Sequence, residues 1–112
     1  MPADSPNPAP NPPLQSTLAD DPDMAELVSF FVEEMGERVE SINAAALDQD
    51  LSQLRTVAHQ LKGAAGGYGF APISDCAASL EQLIDASDPS ADAEALREQV
   101  DALIDLCRRA SL

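Results

Sequence analysis

The amino-acid sequence predicts an all-α protein, an antiparallel up-and-down four-helix bundle with a Pro-rich N-terminal tail. Apolar residues repeat every three or four positions along most of the chain, which is the period of a helix with one buried face. Apolar residues make up 45% of the 112 residues but aromatics only 4%, so the predicted core is aliphatic. Turn-forming segments divide the repeats into four, and short connections between helices favour antiparallel neighbours.

The N-terminal segment is predicted to be a flexible tail over residues 1–17. Residues 1–13 contain six of the nine prolines, and they offer little apolar surface to bury. The bundle domain is predicted to span residues 18–112, since a chain of this length holds one domain.

The first helix is predicted to begin near residue 20, because neighbouring aspartates and Pro22 suit a helix cap and first turn. It is predicted to be long, with a single apolar stripe. The stripe consists of Met24, Leu27, Val28, Phe31, Met35, Val39, Ile42 and Ala46.

The second helix is predicted to start after Asp50, which acts as N-cap with Gln53 at the third helical position. Its glycines leave open whether it ends near Gly66 and Gly67. Its apolar stripe consists of Leu54, Val57, Ala58, Leu61, Ala64, Ala65 and Tyr68.

The third helix is predicted to open at residues 71–75, with Pro72 near its first position, and residues 87–92 are predicted to form a turn. The fourth helix ends with Arg108 and Arg109, which suit the negative end of its dipole. The two stripes consist of Ile73, Ala77, Leu80, Leu83 and Ile84, and of Leu96, Val100, Leu103, Ile104 and Cys107.

The net charge of −14, six cations against 20 carboxylates, argues against nucleic acid or a membrane surface as partner. No apolar run is long enough to span a membrane, and the N-terminus shows no Lys, Arg or apolar run of the kind expected in a signal peptide. Cys76 and Cys107 form no CxxC pair and are predicted to be buried reduced thiols. We therefore predict a cytoplasmic protein.

Residues 58–70, AHQLKGAAGGYGF, contain the only histidine and four glycines, each of which costs a helix roughly 1 kcal/mol against alanine. On a helical wheel His59 falls at about 80°, almost opposite the apolar stripe between about 220° and 340°. Gly63 and Gly66 fall beside it on the exposed face. We expect the glycines to clear this face for the backbone of a partner protein.

The charges around His59 suit an anion. Residues 51–74 contain no Asp or Glu, whereas about four would occur at the mean frequency of 20 in 112. Arg55 and Lys62 lie in the same window. A phosphate on His59 is therefore expected to meet attraction on a face without carboxylates.

Other interpretations remain open at this point. In these interpretations His59 is an ordinary surface residue, the glycines merely end the helix, and the window without acids arises by chance. Better-defined chemistries fit less well: one His and two distant Cys do not supply the roughly four ligands of a zinc site. The glycines lack the order of a phosphate-binding loop, and both Cys lie on apolar stripes.

The segment 58–70 resembles the signature of the histidine-containing phosphotransfer (HPt) domain family, in which a Lys follows the His after two residues and small residues come next. The matching positions are His59, Lys62, Gly63, Gly66 and Gly69. The helix pattern is similar over about residues 18–110.

The resemblance implies a phosphorelay carrier rather than an enzyme, with no kinase or hydrolase machinery. His59 accepts a phosphoryl group from a receiver-domain aspartate, through the Nε2 atom as we expect, and another receiver takes it. Lys62 steadies the phosphate with Arg55 nearby, and Gly63 keeps the face clear. The resemblance implies no cofactor for this protein itself, since Mg²⁺ belongs to the receiver. Docking is expected on the second helix with parts of the first, over Gly63, Gly66, Gln60, Thr56 and Gly67.

The implied partners are response-regulator receiver domains and a histidine kinase, and the protein is expected to be a monomer. Two alternatives stay open. One is a helical interaction module inactive in phosphotransfer, against which the intact His59 and Lys62 argue. The other is the phosphoacceptor domain of a larger histidine kinase.

Overall fold

The computed structural model describes residues 13–86 and 93–111. It confirms a mostly helical protein with a helical bundle as its body. The predicted turn at 87–92 and most of the predicted tail lie outside the described residues. The elements are β1 (Leu14–Gln15), α1 (Ala25–Leu47), α2 (Leu51–Gly67), α3 (Ala71–Ala86), α4 (Ala93–Arg109) and β2 (Ala110–Ser111).

The two short strands were not predicted. They pair in parallel, with Leu14 opposite Ala110, and so join the start of the described chain to its end. A strand of two residues is too short to show the alternation that identifies strands in a sequence.

The packed part of the chain begins before residue 18, the predicted start of the domain. Ser16 is buried, and its hydroxyl donates a hydrogen bond to the carbonyl oxygen of Tyr68 at 2.5 Å. The N–H of Thr17 donates to the carbonyl oxygen of Gly69 at 3.0 Å. The segment 14–18 therefore lies against the connection between α2 and α3.

Helix α1 begins at Ala25, later than the predicted start near residue 20. The Asp21 carboxylate accepts from the N–H of Asp23, and its carbonyl oxygen accepts from the N–H of Ala25, both at 2.9 Å. This aspartate thus closes a turn before the helix, and Met24 stands at the N-cap without a side-chain hydrogen bond.

The predicted burial of Leu27 is wrong, because 47% of this residue is exposed. The buried stripe of α1 runs through Val28, Phe31 and Met35. Leu27 lies about 100° from Val28 around the helix and so falls at the edge of the stripe.

Helix α2 starts as predicted, with the Asp50 carboxylate accepting a hydrogen bond from the N–H of Gln53 at 3.0 Å. The helix continues through Gly66 and ends at Gly67. Gly69 then takes a φ of +83°, which turns the chain into α3. The glycine-rich segment therefore remains helical from His59 to Gly67.

All four helices contribute to one hydrophobic core. The thiol of Cys107 is buried in it, and this burial raises the pKa of Cys107 to about 12. Cys76 is half-buried, and both cysteines are free thiols. The largest fully buried side chains are Phe31, Phe70, Ile42, Leu54, Leu61, Ile73, Leu80 and Leu103.

We predict that Gly69→Ala lowers the free energy of unfolding by about 1–3 kcal/mol, since a left-handed φ strains an L-residue. The added Cβ also meets Ser16 Oγ at 2.5 Å and the backbone nitrogen of Leu18 at 3.0 Å. Urea denaturation measures the effect. Gly36→Ala is the matched control: its Cβ has nothing within 4 Å, and we expect a gain of about 0.5–1 kcal/mol. Equal stability of the two variants would contradict this prediction.

Candidate functional site

The candidate site lies where α2 packs against α3. Arg55 near the start of α2 reaches Asp85 near the end of α3, whereas the Lys62 carbonyl accepts a hydrogen bond from Ser74 near the start of α3 at 2.8 Å. The contacts thus run in opposite order along the two helices. The exposed side of α2 between α1 and α3 is called the His59 face below; it carries Arg55, Thr56, His59, Gln60, Lys62, Gly63 and Gly67.

The His59 side chain points outward, as the helical wheel predicts, and 62% of it is exposed. Gly63, one turn further along, has nothing within 4 Å of where a Cβ would stand, and the same holds for Gly67. The surface beside the imidazole is therefore open.

One hydrogen bond fixes the state of the ring. His59 Nδ1 lies 2.9 Å from Glu81 Oε2 on α3. An ionised carboxylate only accepts hydrogen bonds, so the Nδ1 atom must carry a proton and donate. In the neutral imidazole the Nε2 atom then holds a free lone pair. No hydrogen bond to Nε2 occurs within residues 13–86 and 93–111.

Glu81 is the centre of a larger cluster. Its side chain is only 9% exposed, and its other oxygen, Oε1, accepts a hydrogen bond from Lys62 Nζ at 2.8 Å. Arg55 Nη2 lies 3.3 Å from Oε2. The pKa of Glu81 is lowered chiefly by the hydrogen bond from Lys62 and further by that from His59, although burial acts in the opposite sense. Glu81 is therefore a carboxylate held ionised by its neighbours.

The expectation that the face is free of carboxylates is wrong. Helix α3 brings both Glu81 and Asp85 to it, from outside the acid-free window of the sequence. Arg55 donates to Asp85 through Nε at 2.5 Å and through Nη2 at 3.0 Å. This hydrogen bonding lowers the pKa of Asp85 and raises that of Arg55. Both cations assigned to the phosphate thus already have carboxylate partners.

Glu81 was missed by the sequence analysis, although a signal for it exists. It stands within the apolar stripe of α3, four residues after Ala77 and three before Ile84. A carboxylate at a buried position needs charged or hydrogen-bonding partners. Such a position therefore indicates a cationic partner on a neighbouring helix, but not which one.

The remaining predicted docking residues lie on one side of α2. Thr56 and Gln60 are exposed, and the Thr56 hydroxyl donates within the helix to the carbonyl oxygen of Ser52 at 3.0 Å. Gly66 lies at the edge towards α3, since a Cβ there would be 3.3 Å from Ser74 Oγ. The open part of the face is consequently centred on Gly63 and Gly67.

Two further observations concern the described ranges. No helix within them is both long and apolar enough to cross a membrane. Within the same ranges, no group of three or more His, Cys, Asp or Glu side chains is arranged to hold a metal ion.

The fold and the site together define a class of protein: a helical bundle with one exposed imidazole whose Nδ1 is hydrogen-bonded to a nearly buried carboxylate. The chain belongs to the Hpt domain family, whose family model, described as Hpt domain, matches residues 26–110. Comparison with curated proteins and with solved structures finds no significant match. Hpt domains are phosphocarriers of phosphorelays and interact with receiver domains and kinases.

We predict an acid-dependent loss of stability that originates at Glu81. Because its pKa is lowered in the folded state, the carboxylate stabilises the fold above its ordinary pKa of 4.5, and this contribution disappears as the pH falls through the lowered value. Urea denaturation between pH 7 and pH 3 measures it. Glu81→Gln should be less stable at pH 7 and show a flatter decline.

The control for this prediction is Glu33→Gln, which removes an exposed carboxylate of α1. We expect it to retain the decline of the wild type. A Glu81→Gln variant with the full wild-type decline would show that the lowered pKa does not contribute to folding.

Proposed function

We propose that this protein is a phosphorelay carrier. It accepts a phosphoryl group on Nε2 of His59 from a receiver-domain aspartate or a kinase and passes it to another receiver. The observation that supports this most is the hydrogen bond between Nδ1 and Glu81, which leaves Nε2 as a nucleophile on an open surface.

The transfer needs no base. The Nε2 lone pair attacks phosphorus in line as the bond from phosphorus to the aspartyl oxygen breaks, and the aspartate leaves as a carboxylate. The ring then carries both the phosphoryl group on Nε2 and the proton on Nδ1, so it is a cation. Glu81, 2.9 Å from Nδ1, stabilises that cation. Reverse transfer to the next receiver uses the same arrangement.

Lys62 lies one helical turn from His59 and is assigned to the phosphoryl oxygens. Its ammonium group has three donors and spends one on Glu81 Oε1 at 2.8 Å. The others are available to a phosphoryl group on Nε2. Arg55 stays with Asp85 and Glu81 and adds positive charge to the same face.

The partner supplies the rest of the chemistry. We propose that Mg²⁺ and the remaining catalytic groups belong to the receiver domain, and that this chain has no cofactor of its own. Thr56, Gln60, Gly63 and Gly67 form an uncharged surface for a transient interface, with Gly66 at its edge. We further propose that the protein is a monomer and that the helices of its bundle alternate in direction. We also propose that it is cytoplasmic and has neither nucleic acid nor a membrane as partner.

The test of the proposal is transfer from a phosphorylated receiver domain in the presence of Mg²⁺. The wild-type chain should acquire a label that survives alkali but not acid, as expected of a phosphoramidate. His59→Gln should acquire none while keeping its helical circular dichroism. An equally labelled variant would contradict the assignment of His59. An unlabelled wild type, tested against many receivers, would favour an interaction module without phosphotransfer.

Gly63→Leu should lower kcat/KM for this transfer at least tenfold, because a leucine next to His59 fills the space that a receiver must enter. Helix content should change little, because a Cβ at Gly63 meets nothing within 4 Å. Gly36→Leu is the matched control, as Gly36 is equally open but lies on α1. Normal transfer by Gly63→Leu would contradict the role of the cleared surface.

A further inference from the structure

Two cationic side chains flank His59 on α2. Arg55 lies four residues before the histidine and Lys62 three residues after it, and residues at these spacings are neighbours on one side of a helix. The two side chains are 44% and 37% exposed. A phosphoryl group on Nε2 therefore has a cation on either side of it along α2, and the two cations differ in how α3 holds them.

Arg55 is held by two carboxylates of α3. It donates from Nε to Asp85 Oδ1 at 2.5 Å and from Nη2 to Oδ2 at 3.0 Å, and Nη2 also lies 3.3 Å from Glu81 Oε2. Two parallel N–H···O bonds fix the plane of a guanidinium as well as its position. Lys62 Nζ, by contrast, donates to Glu81 Oε1 from a rotatable ammonium with three donors. The side chain of Arg55 is thus directed towards α3, whereas Lys62 keeps donors for a ligand.

The guanidinium of Arg55 nevertheless lies beside the imidazole. Glu81 Oε2 contacts both His59 Nδ1, at 2.9 Å, and Arg55 Nη2, at 3.3 Å. A rotation of the arginine side chain away from α3 would bring its donors to a phosphoryl group on the ring, and guanidinium binds phosphate in a bidentate manner. In the part of the chain that the structure describes, Asp85 forms an ion pair with Arg55 and with no other cation. Asp85 is therefore the carboxylate whose contacts serve Arg55 alone.

The charges of the site balance when the ring is neutral. Two carboxylates, Glu81 and Asp85, face two cations, Arg55 and Lys62. A phosphoryl group on His59 adds a charge of about −1.5 to −2. Without the charge of Asp85 the site would hold one extra positive charge and an arginine able to bind the phosphoryl oxygens, and both changes favour the phosphorylated state. Asp85 thus opposes excessive stabilisation of the phosphohistidine.

We propose that Asp85 is a positioning residue that holds Arg55 away from the phosphoryl group and thereby keeps the phosphohistidine a good donor. This inference rests on the proposed function and adds a control of the balance between accepting and donating. In donation, a carboxylate oxygen of the receiver attacks phosphorus, the bond from phosphorus to Nε2 breaks, and its electron pair returns to Nε2 of His59. An arginine bound to the phosphoryl oxygens would have to release them in this step, whereas Lys62 remains the single cation that meets them.

Asp85→Asn tests the proposal, since it removes the charge and keeps the shape of the side chain. The rate constants of transfer from a phosphorylated receiver to His59, and of the return transfer, are measured by rapid quench in the presence of Mg²⁺. Their ratio should shift about tenfold towards the phosphohistidine, mainly because donation slows. The free energy of unfolding should change little, because exposed ion pairs contribute little to stability.

Asp75→Asn is the matched control. It removes the same charge from an exposed position of α3, and Asp75 has no cation within 4 Å among the described residues. Its ratio of rate constants should stay within about twofold of the wild type, since a change in net charge alone is screened by salt. An equal shift in both variants would overturn the inference.

Two further measurements test whether Asp85 acts through Arg55. In the Arg55→Gln background, Asp85→Asn should change the ratio by less than about twofold, because the restrained group is absent. On phosphorylation with phosphoramidate, the Arg55 Nε–H signal in ¹H–¹⁵N spectra should change little in the wild type and strongly in Asp85→Asn.

Three results would overturn the inference: a wild-type ratio in Asp85→Asn, an undiminished effect of Asp85→Asn in the Arg55→Gln background, or an equally large change of the Arg55 signal in the wild type. The last result would show that Arg55 binds the phosphoryl group although Asp85 is present. Absence of any label on the wild type, from phosphoramidate and from receivers alike, would overturn the proposed function instead.

Discussion

The site depends on one carboxylate. Glu81 reaches from α3 to α2 and holds His59, Lys62 and Arg55 through oxygens that are almost buried. This arrangement connects the two helices and sets the tautomer of the imidazole at the same time. In the proposed transfer it also supplies a counter-charge for the cationic ring that forms when Nε2 is phosphorylated. Folding and the proposed chemistry therefore use the same group, which makes Glu81 the residue on which the rest of the account depends.

The sequence was sufficient for the features that arise within a single segment. Apolar periodicity predicted four helices and the outward direction of His59, and the capping pattern of Asp50 and Gln53 predicted the start of α2. Each follows from residues close together in the chain. The sequence did not predict the features that depend on contacts between distant segments. Residues 51–74 contain no acid, but α3 supplies Glu81 and Asp85 to the same face. The two-residue strand pair joins residues from the two ends of the described chain, a contact that no local pattern encodes.

The glycines and the exposed apolar residues have complementary consequences. Gly63 and Gly67 weaken α2 as a helix but leave open space beside the imidazole. Phe30 and Leu27 are exposed on α1. The glycines lower the stability of the helix without benefit to the isolated domain, which is expected of the docking surface proposed for this face. The net charge of −14 also attracts a partner with a basic surface from a distance.

The central claim is that Glu81 holds the proton on Nδ1 of His59 and so leaves Nε2 as the nucleophile. Long-range ¹H–¹⁵N correlation spectra of the His59 ring at mildly alkaline pH measure this directly, because protonated and unprotonated ring nitrogens differ strongly in ¹⁵N chemical shift. The account predicts a protonated Nδ1 and an unprotonated Nε2 in the wild type, with a shift towards a mixture of tautomers when Glu81 is replaced by Ala. A wild-type ring protonated on Nε2, or one unaffected by the loss of Glu81, would contradict it.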